Sequence, residues 1–367
     1  MNTKPKTIAF IIPRITNIGG IARVVSLITN SLIENYGYKV LIIGYQNGVK
    51  DGYDWNNKII FKSIYNKTVP LKKGIFNATF VLRKYIKEND IEIVISCGSM
   101  LGPLGVLSTI FSKVKNVYWD HSNFFQNSGH AYKVQSKIFT SKFSDLIVTL
   151  TKADLKTYEQ QTNAKKIIQI YNPIDPKLFC FVKEYNFLSK KIISVGRLTD
   201  QKNFEELVDV ACIVFSKEPN FEWHIYGEGP NKENIERKII ENNLQDNIIL
   251  KGKSNDLYSL YNEYSMMVMT SRYEGFPMSL IEGLSNKLPL ISYDIATGPN
   301  EIIQDFKSGY LVKEGDIQNM AKKILYLLNN KNEKIAFSNS STELISQFRL
   351  ESITRKWMVE IEQLSIK

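Results

Sequence analysis

The chain has 367 residues, too many for one ordinary domain, and 43% of them are hydrophobic, enough for two sizeable cores. Its net charge of +10 is uneven: residues 1–185 hold 25 Lys and Arg against 12 Asp and Glu, and the remainder holds 22 against 25, or +13 and −3. Three scattered cysteines argue against a disulfide framework, and with His121, His130 and His224 they form no metal-ligand spacing. No apolar stretch has the length of a membrane span, and the N-terminal apolar run is too short for a signal peptide, so the chain reads as cytoplasmic.

In chain order, TIAFII (7–12) reads as a buried strand, then comes a loop, then the apolar-periodic helix 21–34. Further strands are expected at 39–45, 91–97, 114–119 and 145–150, with helices at 77–90 and 152–161. Strands alternating with helices at this spacing imply βαβ units and a parallel sheet. The stretch 171–189 fits neither period, carries two prolines and reads as an interdomain linker. A second series starts at 190–196 and continues at 221–227, 247–252, 266–271 and 288–294. The expectation is two doubly wound α/β domains, 1–185 and 186–348, facing each other. In the last window, 349–367, Ile353, Trp357, Ile361 and Leu364 share one helical stripe that something must cover.

In open parallel sheets, ligands bind beyond the carboxyl ends of the strands. The loop after 7–12 holds Gly19 and Gly20 just before a helix, which suits backbone approach to an anion and equally suits a plain structural turn. It is not a G-x-G-x-x-G loop. The G-x-G at Gly227 has Lys232 where a third glycine would stand, and there is no Walker A loop. After 190–196 come Arg197 and Lys202, five apart, two cations that suit a diphosphate; an ordinary exposed loop is the alternative.

After 266–271, Glu274 stands in a loop and Glu282 follows eight positions on, in the first turn of a helix, where with Ser279 it fits a capping box. Carboxylates repel a diphosphate but accept strong hydrogen bonds from sugar hydroxyls. Cations and carboxylates together suggest a nucleotide sugar. No Asp-x-Asp is present, so a metal-held diphosphate is not expected, and no cofactor is implied. The leaving phosphate would be stabilised by Arg197, Lys202 and helix N-termini. Lysines mix with aromatics at 62–76 and 130–143, which reads as a solvated face or as a surface for an anionic membrane or nucleic acid; no RNA-binding motif is visible.

NIGGIAR, WDHSN, IYNPID (170–175), SVGRLTDQKN, IYGEGP, the Glu274/Glu282 pair and TGPNEII (297–303) together resemble the retaining glycosyltransferases of the GT-B fold, in particular glycosyltransferase family 4. The resemblance covers nearly the whole chain. It implies two Rossmann-like domains facing across a cleft: 1–185 for the acceptor, 186–348 for the nucleotide sugar, and 349–367 as a helix returning to the first domain. It gives Arg197 and Lys202 to the donor diphosphate, Glu274 to the donor sugar and Glu282 to the ribose. The backbone of Gly275, Phe276, Pro277 and Met278 falls around the sugar and phosphates. Gly227 belongs to the same donor-side set, and Gly19 and Gly20 close on the donor from the other domain. His121 matches a histidine near the transferred sugar, although WDHSN departs from the commoner Glu-His-Asn pattern.

The implied activity is metal-independent retaining transfer of a hexose or N-acetylhexosamine, often from UDP-galactose-type donors. The acceptor would be a lipid-linked or lipopolysaccharide or capsule glycan, at the inner face of the cytoplasmic membrane, with the protein peripheral on that anionic surface and no nucleic acid involved. The alternatives are a GT-B-fold sugar-nucleotide epimerase and a non-catalytic nucleotide- or nucleic-acid-binding module.

Overall fold

The computed structural model describes residues 5–15, 19–48, 53–98, 100–125, 131–254 and 256–366. The chain divides into two compact units: residues 1–173 with 350–367, and residues 174–349.

Unit 1 begins with β1 (Thr7–Arg14), α1 (Gly20–Tyr36), β2 (Lys39–Gln46), β3 (Ile60–Tyr65), α2 (Leu71–Glu88) and β4 (Ile93–Cys97). It continues with α3 (Gly102–Thr109), β5 (Lys115–Trp119), α4 (Ala131–Phe143), β6 (Leu146–Thr149), α5 (Lys152–Gln161) and β7 (Ile167–Gln169). The strands pair in parallel in the order β3-β2-β1-β4-β5-β6-β7. Residues 8–12 of β1 and 93–97 of β4 are buried throughout, as unbroken apolar strands covered on both faces should be.

Unit 2 holds β8 (Lys191–Val195), α6 (Phe204–Phe215), β9 (Glu222–Tyr226), α7 (Lys232–Glu241), β10 (Ile248–Gly252), α8 (Leu257–Leu260), β11 (Met266–Met269) and α9 (Met278–Ser285). After these come β12 (Leu290–Asp294), α10 (Pro299–Ile302), β13 (Gly309–Lys313), α11 (Ile317–Asn329) and α12 (Lys331–Leu344). Its parallel sheet runs β10-β9-β8-β11-β12-β13. Its core gathers Leu207, Val210, Val214, Trp223, Ile324 and Phe337 among others.

The last helix, α13 (Leu350–Ile366), belongs to unit 1 and lies against α1. Ile353, Trp357 and Ile361 are at most 1% exposed, so their stripe is covered there. Trp357 meets Trp119 edge-on, ring centroids 4.7 Å apart. Glu362 bonds Lys6 and Tyr38, and Lys166 bonds Glu360 and Gln363.

The expected linker is for the most part structure of unit 2. A 3₁₀ turn at Pro176–Cys180 is capped by Asp175, and Ile174 N–H donates to Phe348 O at 2.8 Å, so the chain enters and leaves this unit side by side. Lys183 N–H bonds Asn262, and Tyr185 donates to Ser265 O at 2.5 Å. The division therefore falls at 173/174 and 349/350 rather than at 185/186 and 348/349. Helix α2 starts at Leu71, earlier than the expected 77, because Pro70 is well placed before a first turn whose N–H groups need no helical partner.

Candidate functional site

The sheet of unit 2 changes direction of growth between β8 and β11, and the loops leaving those two neighbours carry the charged candidates. The two loops are laced together. Arg272 N–H donates to Gln201 O at 2.9 Å, Gln201 Nε2 donates to Tyr273 O at 3.0 Å, and Thr270 Oγ1 donates to Lys202 O at 3.2 Å. Asn203 occupies the left-handed region (φ 53°) as the chain turns into α6, and Arg272 Nη2 donates to its side chain at 3.2 Å.

This lacing brings Lys202 and Glu274 into contact, Nζ to Oε1 at 2.5 Å, with Gln201 Nε2 at 3.4 Å from the second carboxylate oxygen. Glu274 is buried, whereas Arg197 is exposed. Arg197, Gln201, Lys202 and Tyr273 line one open cavity of about 550 Å³ together with Asn231. An exposed guanidinium and a half-covered ammonium thus share one concavity with the exposed Asp200, and the buried Glu274 holds the ammonium from behind without lining it. The cations suit phosphate; the carboxylate, already neutralised by Lys202, can accept from hydroxyls without repelling an anion beside it.

The G-x-G at 227–229 supports this loop from below. Gly227 has φ 147°, and a Cβ there would lie 1.8 Å from Gly196 O; at Gly229 it would lie 2.2 Å from Leu198 O. Leu198 N–H donates to Glu228 O at 3.1 Å. These glycines let two backbones pass in contact, which fixes where Arg197 begins its reach. Gly298 does the same for the second loop: it has φ 102°, and a Cβ would stand 2.6 Å from Pro277 Cδ. Thr297 Oγ1 donates to Glu274 O.

Helix α9 starts at Met278 after Pro277, with no side chain capping it. The capping-box reading is thus corrected. Glu282 sits in the second turn, too far along to reach back, and its Oε2 accepts from the buried Tyr261 hydroxyl at 2.6 Å. It is 5% exposed and does not line the cavity with Arg197. Gly275, Phe276, Pro277 and Met278 bring the backbone to this helix start, and Phe276 anchors the segment by packing on Phe348 at 5.7 Å. Among the described residues there is no group of three His, Cys, Asp or Glu placed to hold a metal ion.

In unit 1, Gly19 (φ 111°) and Gly20 open α1 after β1, with open space where side chains would be. His121 follows β5. Its ring packs on Trp119, centroids 4.3 Å apart, and its Nε2 is buried without a hydrogen-bond partner among the described residues. Burial pushes its pKa down from 6.5 to about 4, against the pull of Asp120, so the imidazole is neutral at pH 7. A neutral ring with an unsatisfied buried nitrogen is suited to one hydrogen bond with a ligand. The neighbouring His130 lies outside the described residues.

Sequence reasoning missed what holds His121. Asp120 Oδ2 meets Lys137 Nζ at 2.8 Å, both side chains 1% exposed, and accepts from Tyr158 at 2.6 Å. Lys137 also donates to Ser122 Oγ at 3.0 Å and to Asn123 O at 2.7 Å. Phe124 N–H donates to Asp154 at 2.8 Å. Lys137 is therefore an internal strut of this loop, not part of a solvated or membrane-facing basic surface. Lys133 is half-buried and lies off the exposed face as well. A lysine on an apolar-aromatic helix, shortly after an Asp-His-Ser turn lacking another cation, was the available signal.

A family model described as Glycosyltransferase Family 4 matches residues 18–178, and one described as Glycosyl transferases group 1 matches residues 183–343. The chain is 27% identical over 354 residues to an uncharacterized glycosyltransferase of Haemophilus influenzae, covering 96% of this chain and 99% of that one. It is 30% identical over 298 residues to a poly(ribitol-phosphate) alpha-N-acetylglucosaminyltransferase of Staphylococcus aureus, covering 78% of this chain but 58% of the relative. The crystal structure of a mutant of S. aureus TarM in complex with Fondaparinux, alpha-GlcNAc-glycerol and UDP superimposes with TM-score 0.68 at 27% identity, over 77% of this chain and 58% of that one.

Proposed function

The chain belongs to glycosyltransferase family 4, with the two Rossmann-like units of the GT-B fold, and from that premise we propose that it is a retaining, metal-independent transferase. It moves a hexose or N-acetylhexosamine from a UDP-sugar to a lipid-linked or surface-polysaccharide glycan. The acceptor lies at the inner face of the cytoplasmic membrane, with the enzyme peripheral there. The observation that carries this reading is that Arg197 and Lys202 line one cavity at the switch point of the unit 2 sheet, with Lys202 held by the buried Glu274.

Arg197 and Lys202 take the diphosphate, Glu274 and the backbone of 275–278 the sugar, and Glu282 the nucleoside. The bond from C1 to the diphosphate oxygen breaks while the acceptor oxygen bonds C1 on the same face, and the acceptor's proton passes to the departing phosphate. The two cations stabilise the charge that develops there. Neutral His121, with Gly19 and Gly20, serves the transferred sugar from unit 1. Support for UDP comes from the TarM complex, and support for retention from the alpha product in the S. aureus relative's name, since UDP-hexose donors are themselves alpha-linked.

A panel of UDP- and GDP-sugars, assayed with purified protein for release of nucleotide and for the anomer formed, tests the reading. Turnover of one or more UDP-hexoses to an alpha product is expected. Interconversion of the free nucleotide sugars would point to the epimerase, and no turnover of any donor to the binding module.

A further inference from the structure

Asn203 stands between Lys202 and the first residue of α6, in the left-handed region at φ 53° and ψ 43°. An asparagine just before a helix ordinarily turns its side-chain oxygen onto an N–H group of the first turn. Asn203 makes no such cap. The residue is buried and its amide is turned elsewhere: Nδ2 donates to Glu206 Oε2 at 2.8 Å, and Oδ1 accepts from Arg272 Nη2 at 3.2 Å. Both ends are matched to charge, the amide's donor on a carboxylate and its acceptor on a guanidinium. Glu206 is fixed from its other side, where Oε1 accepts from the Tyr293 hydroxyl at 2.5 Å. Tyr293 belongs to β12 and is fully buried; burial, and then Glu206, push its pKa up, so the hydroxyl stays a donor.

This relay from β12 through Glu206 and Asn203 ends on Arg272, in the loop that carries Glu274. Arg272 N–H holds Gln201 O, and Thr270 Oγ1 lies 3.2 Å from both Lys202 O and Asn203 O. The backbone of 201–203 is thus tied down at each residue. The Lys202 stem then runs over Gly196, where a Cβ would stand 3.0 Å from its Cδ and Cε, and its ammonium ends against Glu274. Glycine would serve a left-handed turn as well as asparagine, and without strain. What glycine lacks is the amide that joins the two loops.

We propose that Asn203 is a positioning residue for the donor diphosphate: its amide, braced by Glu206 and Tyr293, ties the 197–202 loop to the 270–274 loop and so sets where the Lys202 ammonium meets phosphate. The inference rests on the proposed function, since it takes the cavity lined by Arg197 and Lys202 as the diphosphate site. Without the amide, the turn keeps its backbone shape but loses its side-chain tie to the loop that holds Glu274. The two loops can then slide past one another, and the ammonium moves with them. A misplacement of about 1 Å in such a group costs on the order of 10²-fold in rate.

UDP is titrated into the full chain by calorimetry, well below the melting temperature of each variant. Asn203→Gly changes no charge and suits φ 53°, so it should fold like the parent yet bind UDP about tenfold or more weakly. Asn203→Asp tolerates the turn and still accepts from Arg272, but it sets a carboxylate against Glu206, and its loss should be at least as large. Adding Glu206→Gln to Asn203→Asp faces a donor with an acceptor again at the parent's net charge, and should return affinity to within about threefold of the parent. A purely structural residue would lower the melting temperature of these variants without moving UDP affinity, and that result overturns the proposal. So does a double variant that binds no better than Asn203→Asp alone. Arg197→Ala, which leaves the contacts of Asn203 intact, tells the two failures apart. If it weakens UDP binding while the Asn203 variants do not, this inference alone falls; if no variant differs from the parent, or the parent binds no UDP, the diphosphate site falls and this inference with it.

Discussion

Each unit carries a lysine–carboxylate pair at the carboxyl end of its sheet, and the two pairs differ in what they leave over. Lys137 and Asp120 in unit 1 are both 1% exposed, and the lysine's three donors are spent on Asp120, Ser122 and Asn123. Lys202 and Glu274 in unit 2 are 16% and 8% exposed, and among the described residues the lysine gives one hydrogen bond, to Glu274. Two donors remain, aimed at an open cavity. Burial and pairing are shared by both, so they do not mark a binding site. Unspent hydrogen-bonding capacity does.

The sharpest way to break that contrast is Lys137→Ala. Removing one partner of a buried pair strands the other, at about 3–5 kcal/mol. Chemical denaturation should show that loss; a cost under about 1 kcal/mol would mean that the pair is not a strut. Arg197→Ala should act the other way round, lowering the transfer rate on the order of 10²–10³-fold with melting temperature nearly unchanged, whereas Lys202→Ala should lower the rate as much and also cost stability, because it leaves the buried Glu274 without its cation. Near-full turnover in either variant removes the donor-site assignment.

A smaller effect concerns pH. Because the His121 imidazole is held at about 4 when folded and 6.5 when free, the unfolded chain binds its proton first, and stability falls as pH drops from 6.5 toward 4. Asp154 works in the opposite sense. Burial pushes it from 3.8 up to about 6, so its contribution is lost as pH rises through that window. Comparing the parent with His121→Asn isolates the histidine: the variant should lose less stability on acidification from pH 6.5 to 4, by about 3 kcal/mol. Equal pH slopes in the two proteins would show that the ring titrates as in a free chain. The smallest expected effect is none: on the proposed reading, in which Arg197 and Lys202 carry the phosphate charge, transfer in excess EDTA should match the untreated rate. Full loss restored by Mg²⁺ or Mn²⁺ would end that reading.

The fold was legible where apolar runs were long. β1, β2, β4 and the second series from 190 announced themselves by composition, and the Ile353–Trp357–Ile361 stripe announced that it needed a cover. β3, β7 and β13 were not legible; β3 and β7 are half-buried, and Gly309 lets β13 approach β12 so closely that a Cβ would lie 1.9 Å from Leu290 O. At the site, the spacing of Arg197, Lys202 and Glu274 was readable, but the ion pair joining two of them depends on β8 and β11 becoming neighbours across roughly 70 residues of chain. Local rules misled in two places. Ser279 and Glu282 fit a cap that the helix start at Met278 does not use, and Lys137 fit a basic surface although Asp120 had already claimed it.

Helix α13 has a consequence for the order in which the protein is made. It completes unit 1, yet the whole of residues 174–349 is synthesised between the two parts of that unit. At about 5–20 residues per second, the gap is roughly 10–35 s. Throughout it, unit 2 can finish folding on the ribosome while the neighbour made before it still exposes the apolar seat of Ile353, Trp357 and Ile361, with Trp119 at its floor and His121 resting on that tryptophan. His121 thus acquires its full support only after all of residues 174–349 have been made, and a nascent chain released before residue 350 would keep that seat open to aggregation, however complete its second unit.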